Sequence, residues 1–211
     1  MALVVPTILA STVEDYEARL RRVRPFARRI HIDVTDGKFS DSMTVGLDTV
    51  HGIPGIPFDI HLMFERPQDC LDRLVELAPR LVIFHAEANC DHRVLAIALH
   101  ERGIRAGLAI LPETAVSDLA ELLPDFDEVM IFTGTLGENR GHFRPECLTK
   151  IAEVRKVKPD IEVGVDGGID LTNAAMIVRA GADVLYVGGA IHHAPHPAIA
   201  YEALTAIATG E

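Results

Sequence analysis

The chain has 211 residues, of which 48% are hydrophobic and 24% are charged, and its formal net charge is −11. This composition is typical of a globular protein and excludes disordered and collagen-like chains. The acidic balance argues against a nucleic-acid partner, which would need a basic face, but it permits a small phosphorylated ligand held by a few backbone amides.

The length predicts a single domain over residues 1–211, large enough to bury its own core. The three cysteines, Cys70, Cys90 and Cys147, are widely spaced, which argues against a disulfide framework and favours a reducing, cytoplasmic location. The first residues, 1–6, lack a basic segment, so we expect a strand there and no signal peptide. No run approaches the ~18 apolar residues of a membrane span.

Short apolar segments alternate along the chain with longer amphipathic segments. The predicted strands are short and mostly apolar, as expected for parallel strands buried on both faces; they are Leu3–Leu9, Arg29–Val34, Phe58–Leu62, Leu81–His85, Ala106–Ile110, Glu128–Phe132, Glu162–Val165 and Val184–Val187. The predicted helices are Val13–Val23, Pro67–Leu77, Asp91–Arg102, Ala115–Leu123, Pro145–Val157, Leu171–Ala180 and Ala198–Ala208, with a weak one at Leu47–Val50.

About eight strand–helix units without a linker predict an α/β fold of the closed (β/α)8 barrel type. The alternative is an open doubly wound sheet. That fold typically has a glycine-rich turn after the first strand, and Thr7–Ser11 is not such a turn.

Polar side chains lie at the carboxyl ends of three predicted strands, where a barrel places its chemistry. His31 and Asp33 are two residues apart and therefore share one face of the second strand, while His61 ends the third strand and Asp166 the seventh. Two imidazoles and two carboxylates suit one divalent metal ion, zinc first, with iron, manganese or cobalt as alternatives.

Glycine pairs follow the last two predicted strands. Gly167–Gly168 comes after the seventh strand and Gly188–Gly189 after the eighth. Loops at these positions often bind phosphate in barrel enzymes, because glycine lets backbone N–H groups approach an anion closely. We therefore predict a phosphate site there. By contrast, we expect His192, His193 and His196 to form a polar loop, and the arginines between Arg19 and Arg29 to form a solvated outer face.

Five segments resemble motifs of the ribulose-phosphate 3-epimerase family, in register over nearly the whole chain; they are Pro6–Leu9, His31–Gly37, Asp59–Met63, His85–Glu87 and Val165–Ile169. The resemblance implies a (β/α)8 barrel of the ribulose-phosphate-binding type. It also implies interconversion of D-ribulose 5-phosphate and D-xylulose 5-phosphate, and assembly as a homo-oligomer.

The resemblance also assigns roles to individual residues. It implies that His31, Asp33, His61 and Asp166 bind the metal and that Asp33 and Asp166 are the acid/base pair. Such a pair suits epimerisation, because one carboxylate removes a proton from one face of the carbon and the other returns a proton to the opposite face. Thr7 and Met63 stand at substrate-facing positions of the family.

The chain departs from the family in the loop after the sixth strand, Phe132–Gly141, where Asn139-Arg140 replaces a glycine pair. One hypothesis is that Arg140 contacts phosphate directly; the alternative is a solvated arginine. Because Glu138 disfavours phosphate nearby, a hexulose phosphate or a free ketose is an alternative substrate. Two further alternatives are a decarboxylase or aldolase on a phosphate-binding barrel and a non-catalytic binding protein.

Overall fold

Eight parallel strands close into a barrel in this computed structural model, which describes residues 1–136 and 142–210. The strands are β1 (Leu3–Ile8), β2 (Ile30–Thr35), β3 (Phe58–Met63), β4 (Leu81–His85), β5 (Arg105–Ile110), β6 (Glu128–Phe132), β7 (Glu162–Asp166) and β8 (Val184–Val187). Each strand pairs with the next, and β8 pairs with β1. The predicted (β/α)8 barrel is therefore confirmed, and the open sheet was the wrong alternative.

The α-helices are α1 (Val13–Val23), α2 (Leu71–Leu77), α3 (His92–His100), α4 (Thr149–Val157), α5 (Ala174–Arg179), α6 (Gly189–His192) and α7 (Pro197–Thr209). Short polar side chains begin two of them: Thr12 Oγ1 accepts the Asp15 N–H, and Asp91 Oδ1 accepts the Val94 N–H. No helix in the described ranges is long and apolar enough to cross a lipid bilayer.

Two predicted helices are not α-helical and one short helix was not predicted; the helices predicted from Pro67 and Pro145 also begin with 3₁₀ turns, at Pro67–Cys70 and Pro145–Leu148. Residues 115–125 contain 3₁₀ turns at Val116–Leu119 and Leu123–Asp125 instead of the predicted helix Ala115–Leu123, and residues 47–50 form a turn. Between β8 and α7, the structure has a short helix, α6, where we predicted a polar loop. Residues 115–125 and 47–50 carry only i→i+3 bonds, such as Val50 N–H to the Leu47 carbonyl, so neither segment completes an α-helical turn.

The lumen of the barrel contains its own apolar cluster, separate from the larger core between the strands and the helices. Its buried members are Val5, Leu81, Ile83, Ala109, Met130, Phe132, Val184 and Tyr186. These side chains fill the centre of the barrel. Polar groups are therefore concentrated at its two ends, near the starts and the ends of the strands.

The floor of the barrel, at the strand starts, is a buried ion network that the sequence did not reveal. Arg29, predicted to be solvated, is only 6% exposed; its Nε lies 3.0 Å from Asp59 Oδ2 and its Nη1 lies 3.4 Å from Glu162 Oε1. Arg29 is buried because side chains two residues apart along a strand point to the same side, so Arg29 points into the lumen as His31 does. The hydroxyl of Tyr186 accepts from Arg29 Nη2 at 3.2 Å and donates to Glu128 Oε1.

Candidate active site

The four predicted metal ligands lie together at the top of the barrel. His31 and Asp33 come from β2, His61 from β3 and Asp166 from the end of β7, and one ligand atom of each lies within 4.8 Å of all the others. The β2–β3 register pairs Asp33 with His61, whose Nδ1 lies 2.9 Å from Asp33 Oδ1 and 3.9 Å from Asp166 Oδ2. The His31 Nε2 is 3.2 Å from the same Asp33 oxygen. The cluster is almost fully shielded from solvent.

Burial and mutual charge shift the two carboxylates of this cluster in opposite directions. Burial would raise the pKa of Asp33, but the neighbouring His31 and His61 imidazoles outweigh it and hold that pKa below its ordinary value. Burial, followed by the charge of Asp33, raises the pKa of Asp166. Two carboxylates held this close favour a cation between them.

The donor set fits a divalent transition metal. Two imidazoles and two carboxylates are borderline ligands of the kind that zinc, iron, manganese and cobalt accept. In addition, His31 Nδ1 is buried without a hydrogen-bond partner among the described residues, and the buried Nε2 approaches only Asp33 Oδ1, at 3.2 Å and without hydrogen-bond geometry. A bond to a metal ion would satisfy His31 Nε2, the nitrogen that lies on the side of Asp33.

A second layer of polar groups supports His61. Its Nε2 lies 2.8 Å from His85 Nε2, and His85 Nδ1 lies 3.5 Å from Glu87 Oε2. Burial lowers the pKa of His85 to about 4, so its ring is neutral and its Nε2 can accept from His61. Glu87 in turn accepts from the backbone N–H of Leu111 at 3.1 Å and from the hydroxyl of Thr114. This chain of contacts orients the His61 ring.

A cavity of about 490 Å³ adjoins the cluster. Among the residues predicted to face metal or substrate, it is lined by Thr7, Asp33, Met63, Asp166, Gly167, Gly168, Gly188 and Gly189. The structure thus places both carboxylates and both glycine pairs around one space. Their roles stay predictions, and Arg140, with the rest of Gly137–Gly141, lies outside the described residues.

Close contacts explain why two of these positions are glycine. A Cβ on Gly188 would lie 2.5 Å from Thr7 Oγ1, and a Cβ on Gly167, whose φ is +111°, would lie 2.2 Å from Gly134 N. The turn after β7 is also held by Thr133, whose hydroxyl donates to the carbonyls of Asp166 and Gly167. These contacts bring the backbone of both turns to the wall of the cavity.

Several residues at the site were not identified from the sequence. Tyr186 and His193 also line the cavity. His192, predicted to lie in a polar loop, is instead 3% exposed within α6, and its Nε2 donates to the Thr7 carbonyl at 2.8 Å. The alternation of β8 could have identified Tyr186, since it is two residues before Gly188; nothing comparable pointed to α6.

Comparison with known proteins identifies the family of this chain. A model of the ribulose-phosphate 3 epimerase family matches residues 3–192. Proteins named ribulose-phosphate 3-epimerase from Schizosaccharomyces pombe and Bacillus subtilis are each 32% identical, covering 93% and 91% of this chain and 89% and 93% of their own lengths. The one from Mycobacterium leprae is 34% identical, with coverages of 96% and 93%.

Solved structures of other activities share the fold. The 3-hexulose-6-phosphate synthase of Salmonella typhimurium superposes with a TM-score of 0.76 at 17% identity, covering all of this chain and 99% of its own. The orotidine 5′-phosphate decarboxylase of Pyrococcus horikoshii gives 0.69 at 19% identity, with coverages of 99% and 100%. At these identities the likeness concerns the barrel alone. The sequence comparisons go further: the chain belongs to the ribulose-phosphate 3-epimerase family and is an isomerase.

Proposed function

We propose that this isomerase interconverts D-ribulose 5-phosphate and D-xylulose 5-phosphate by epimerising the carbon next to the ketone. The observation that carries the proposal is that Asp33 and Asp166 line the same cavity as the glycine turns after β7 and β8. The same space therefore offers two proton-transfer groups and glycine turns whose backbone N–H groups suit a phosphate. The relatives' printed name, ribulose-phosphate 3-epimerase, supports a ribulose phosphate as one of the two sugars.

Asp33 and Asp166 supply the chemistry of proton transfer in this proposal. One carboxylate takes the proton from one face of the carbon, and the other, protonated, gives a proton to the opposite face; in the reverse direction the roles exchange. Both carboxylates are largely shielded from water, with side chains 8% and 13% exposed, which keeps bulk water away from the reacting carbon. The pKa of Asp33 is lowered and that of Asp166 is raised.

One divalent metal ion, zinc in our proposal, would be held by His31, Asp33, His61 and Asp166. When bound, it supplies positive charge to the substrate oxygens on which negative charge develops during proton removal. His85 and Glu87 hold the His61 ring in register for this role. Elemental analysis of the purified protein would identify the metal among zinc, iron, manganese and cobalt.

The phosphate would lie against the turns Gly167–Gly168 and Gly188–Gly189, with Thr7 and Met63 facing the sugar. The direct contact of Arg140 with phosphate stays a prediction, tested by Arg140→Ala: a strongly raised KM for the sugar phosphate supports the contact, and an unchanged KM refutes it. Homo-oligomeric assembly and a cytoplasmic location also stay predictions.

Solvent deuterium incorporation tests the proposal. The enzyme in D2O would be incubated with D-ribulose 5-phosphate, D-allulose 6-phosphate and the free ketoses, and wash-in at the carbon next to the ketone would be followed by NMR. For the pentulose phosphate, we expect epimerisation and incorporation of deuterium at the carbon next to the ketone. Asp33→Asn and Asp166→Asn should each abolish the exchange on the face of that carbon that the replaced carboxylate serves. Exchange only with the hexulose phosphate or with a free ketose would mean that this sugar, and not the pentulose phosphate, is the substrate. Absence of exchange with every member would refute the epimerase.

A further inference from the structure

The side chain of Tyr186 lies directly beneath the candidate metal cluster. It projects from β8 into the lumen and is 1% exposed. On the neighbouring strand, a Cβ at Gly164 would lie 2.6 Å from Tyr186 Cε2. Because Gly164 has no side chain, the phenol ring occupies that space, and its position is fixed by the barrel wall.

The ring of Tyr186 packs against the imidazole of His31. Their centroids are 4.2 Å apart, with 37° between the ring planes, the shortest of the ring contacts in the described structure. The Tyr186 hydroxyl points away from the cluster towards the floor, where it contacts Glu128 and Arg29. The face of the phenol ring, and not its hydroxyl, therefore supports His31.

His31 differs in its surroundings from the other histidine of the cluster. His61 is oriented by polar partners at both nitrogens, Asp33 at 2.9 Å and His85 at 2.8 Å. The Nδ1 of His31 is buried and has no hydrogen-bond partner among the described residues. A metal-binding histidine is ordinarily oriented by an acceptor for its second ring N–H, and His31 lacks one in the described structure.

We propose that Tyr186 is the positioning residue for His31, fixing by ring packing the orientation that a hydrogen bond fixes in His61. This inference rests on the metal site of the proposed function. It assigns Tyr186 no contact with the metal and no proton transfer. It predicts that the aromatic ring matters for metal binding and that the hydroxyl does not.

The test measures metal affinity directly. Wild-type protein and the variants Tyr186→Phe and Tyr186→Leu, each stripped with a chelator, would be titrated with Co²⁺ against a competing chelator, and the visible absorption of the bound ion recorded. Glu128→Gln is the matched control, because it alters the partner of the hydroxyl and leaves the ring. We expect Tyr186→Phe and Glu128→Gln to bind within about threefold of wild type. Tyr186→Leu should bind about 10- to 100-fold more weakly, with a changed spectrum.

The outcomes separate this inference from the proposed function. Wild-type protein that fails to bind Co²⁺ would refute the metal site itself. Wild-type binding with an unchanged Tyr186→Leu affinity and spectrum would overturn the positioning role alone, as would equal losses in Tyr186→Phe and Tyr186→Leu. Thermal melting and circular dichroism check the fold of each variant. If Tyr186→Leu does not fold, Tyr186→Met, which fills the space with a flexible chain, takes its place.

Discussion

Glu128 makes the stability of the barrel depend on pH in an unusual direction. Its side chain is fully buried in the floor, where it accepts from the Tyr186 hydroxyl, and its Oε2 has no hydrogen-bond partner among the described residues. Burial, followed by the charges of Glu162 and Asp59, raises its pKa from 4.5 to about 8. The folded protein therefore holds a proton on Glu128 at neutral pH, whereas the unfolded chain has lost it.

The sign and size of the effect follow from this difference. Between pH 4.5 and pH 8 the native state binds one more proton than the unfolded state, so the contribution of Glu128 to stability is full below pH 4.5 and falls by about 1.4 kcal/mol per pH unit. Over the whole window the loss approaches about 5 kcal/mol. Glu128→Gln keeps the shape of the protonated side chain and cannot ionise. We therefore expect the variant to gain stability relative to wild type as the pH rises, with the gain levelling off above pH 8.

The assay is urea unfolding of wild type and variants at half-unit steps from pH 3 to pH 9, at constant ionic strength. Glu162→Gln is a control of opposite sign. Burial would raise the pKa of Glu162, but the charges of Arg29, Arg80 and Arg105 outweigh it and lower that pKa, so its contribution is present above pH 4.5 and lost in acid. If the stability difference between Glu128→Gln and wild type were the same at pH 5 and pH 8.5, Glu128 would not carry the proton and the reasoning would be wrong.

The remaining predictions concern the cavity. His193 is the one basic side chain among the described residues that line the cavity. His193→Ala should therefore raise the KM for a ketose phosphate about three- to tenfold and leave the KM for a free ketose unchanged. His196→Ala is the control, because His196 does not line the cavity. Gly188→Ala should lower kcat/KM at least tenfold in the same assay, because its Cβ would displace the Thr7 hydroxyl, whereas Gly46→Ala, with no atom within 4 Å of its Cβ, should not. Chelation should abolish turnover and lower the Tm, and Zn²⁺ or Mn²⁺ should restore both; full activity in a verified metal-free sample would contradict the metal's role.

Apolar content explains why the strands could be predicted from the sequence. Parallel strands covered on both sides read as short apolar runs, and Leu81–His85 and Glu128–Phe132 begin and end where predicted. Residues 115–123 were predicted as a helix from their apolar spacing. The backbone instead forms two 3₁₀ turns, because Ser117 and Asp118 favour local turns and Pro124 at the second turn has no N–H to donate. The helix α6 has four residues and begins at Gly189, too short for a periodic pattern.

The predicted strand ends and the two-residue alternation of β-strands were enough to predict a cluster at one level of the barrel; its members are His31, Asp33, His61 and Asp166. The supporting contacts are different in kind. The packing of Tyr186 on His31 depends on a gap at Gly164, and the hydrogen bond from His192 to Thr7 depends on the fold of α6. Such contacts join residues distant in sequence, and no periodicity or motif in one chain encodes them.

The two ends of the barrel lumen carry opposite charge balances. At the floor, the guanidinium groups of Arg29, Arg80 and Arg105 lie against the carboxylates of Asp59 and Glu162, and Arg80 Nη2 is also 3.6 Å from Glu128 Oε2. With Glu128 protonated, three guanidinium groups face two carboxylates there. At the top, two carboxylates of the cluster share a buried space, which costs free energy unless a cation lies between them. On the proposed function, a chain with a net charge of −11 would bind an anionic sugar phosphate through local placement: backbone N–H groups at the glycine turns, and a metal ion at the cluster.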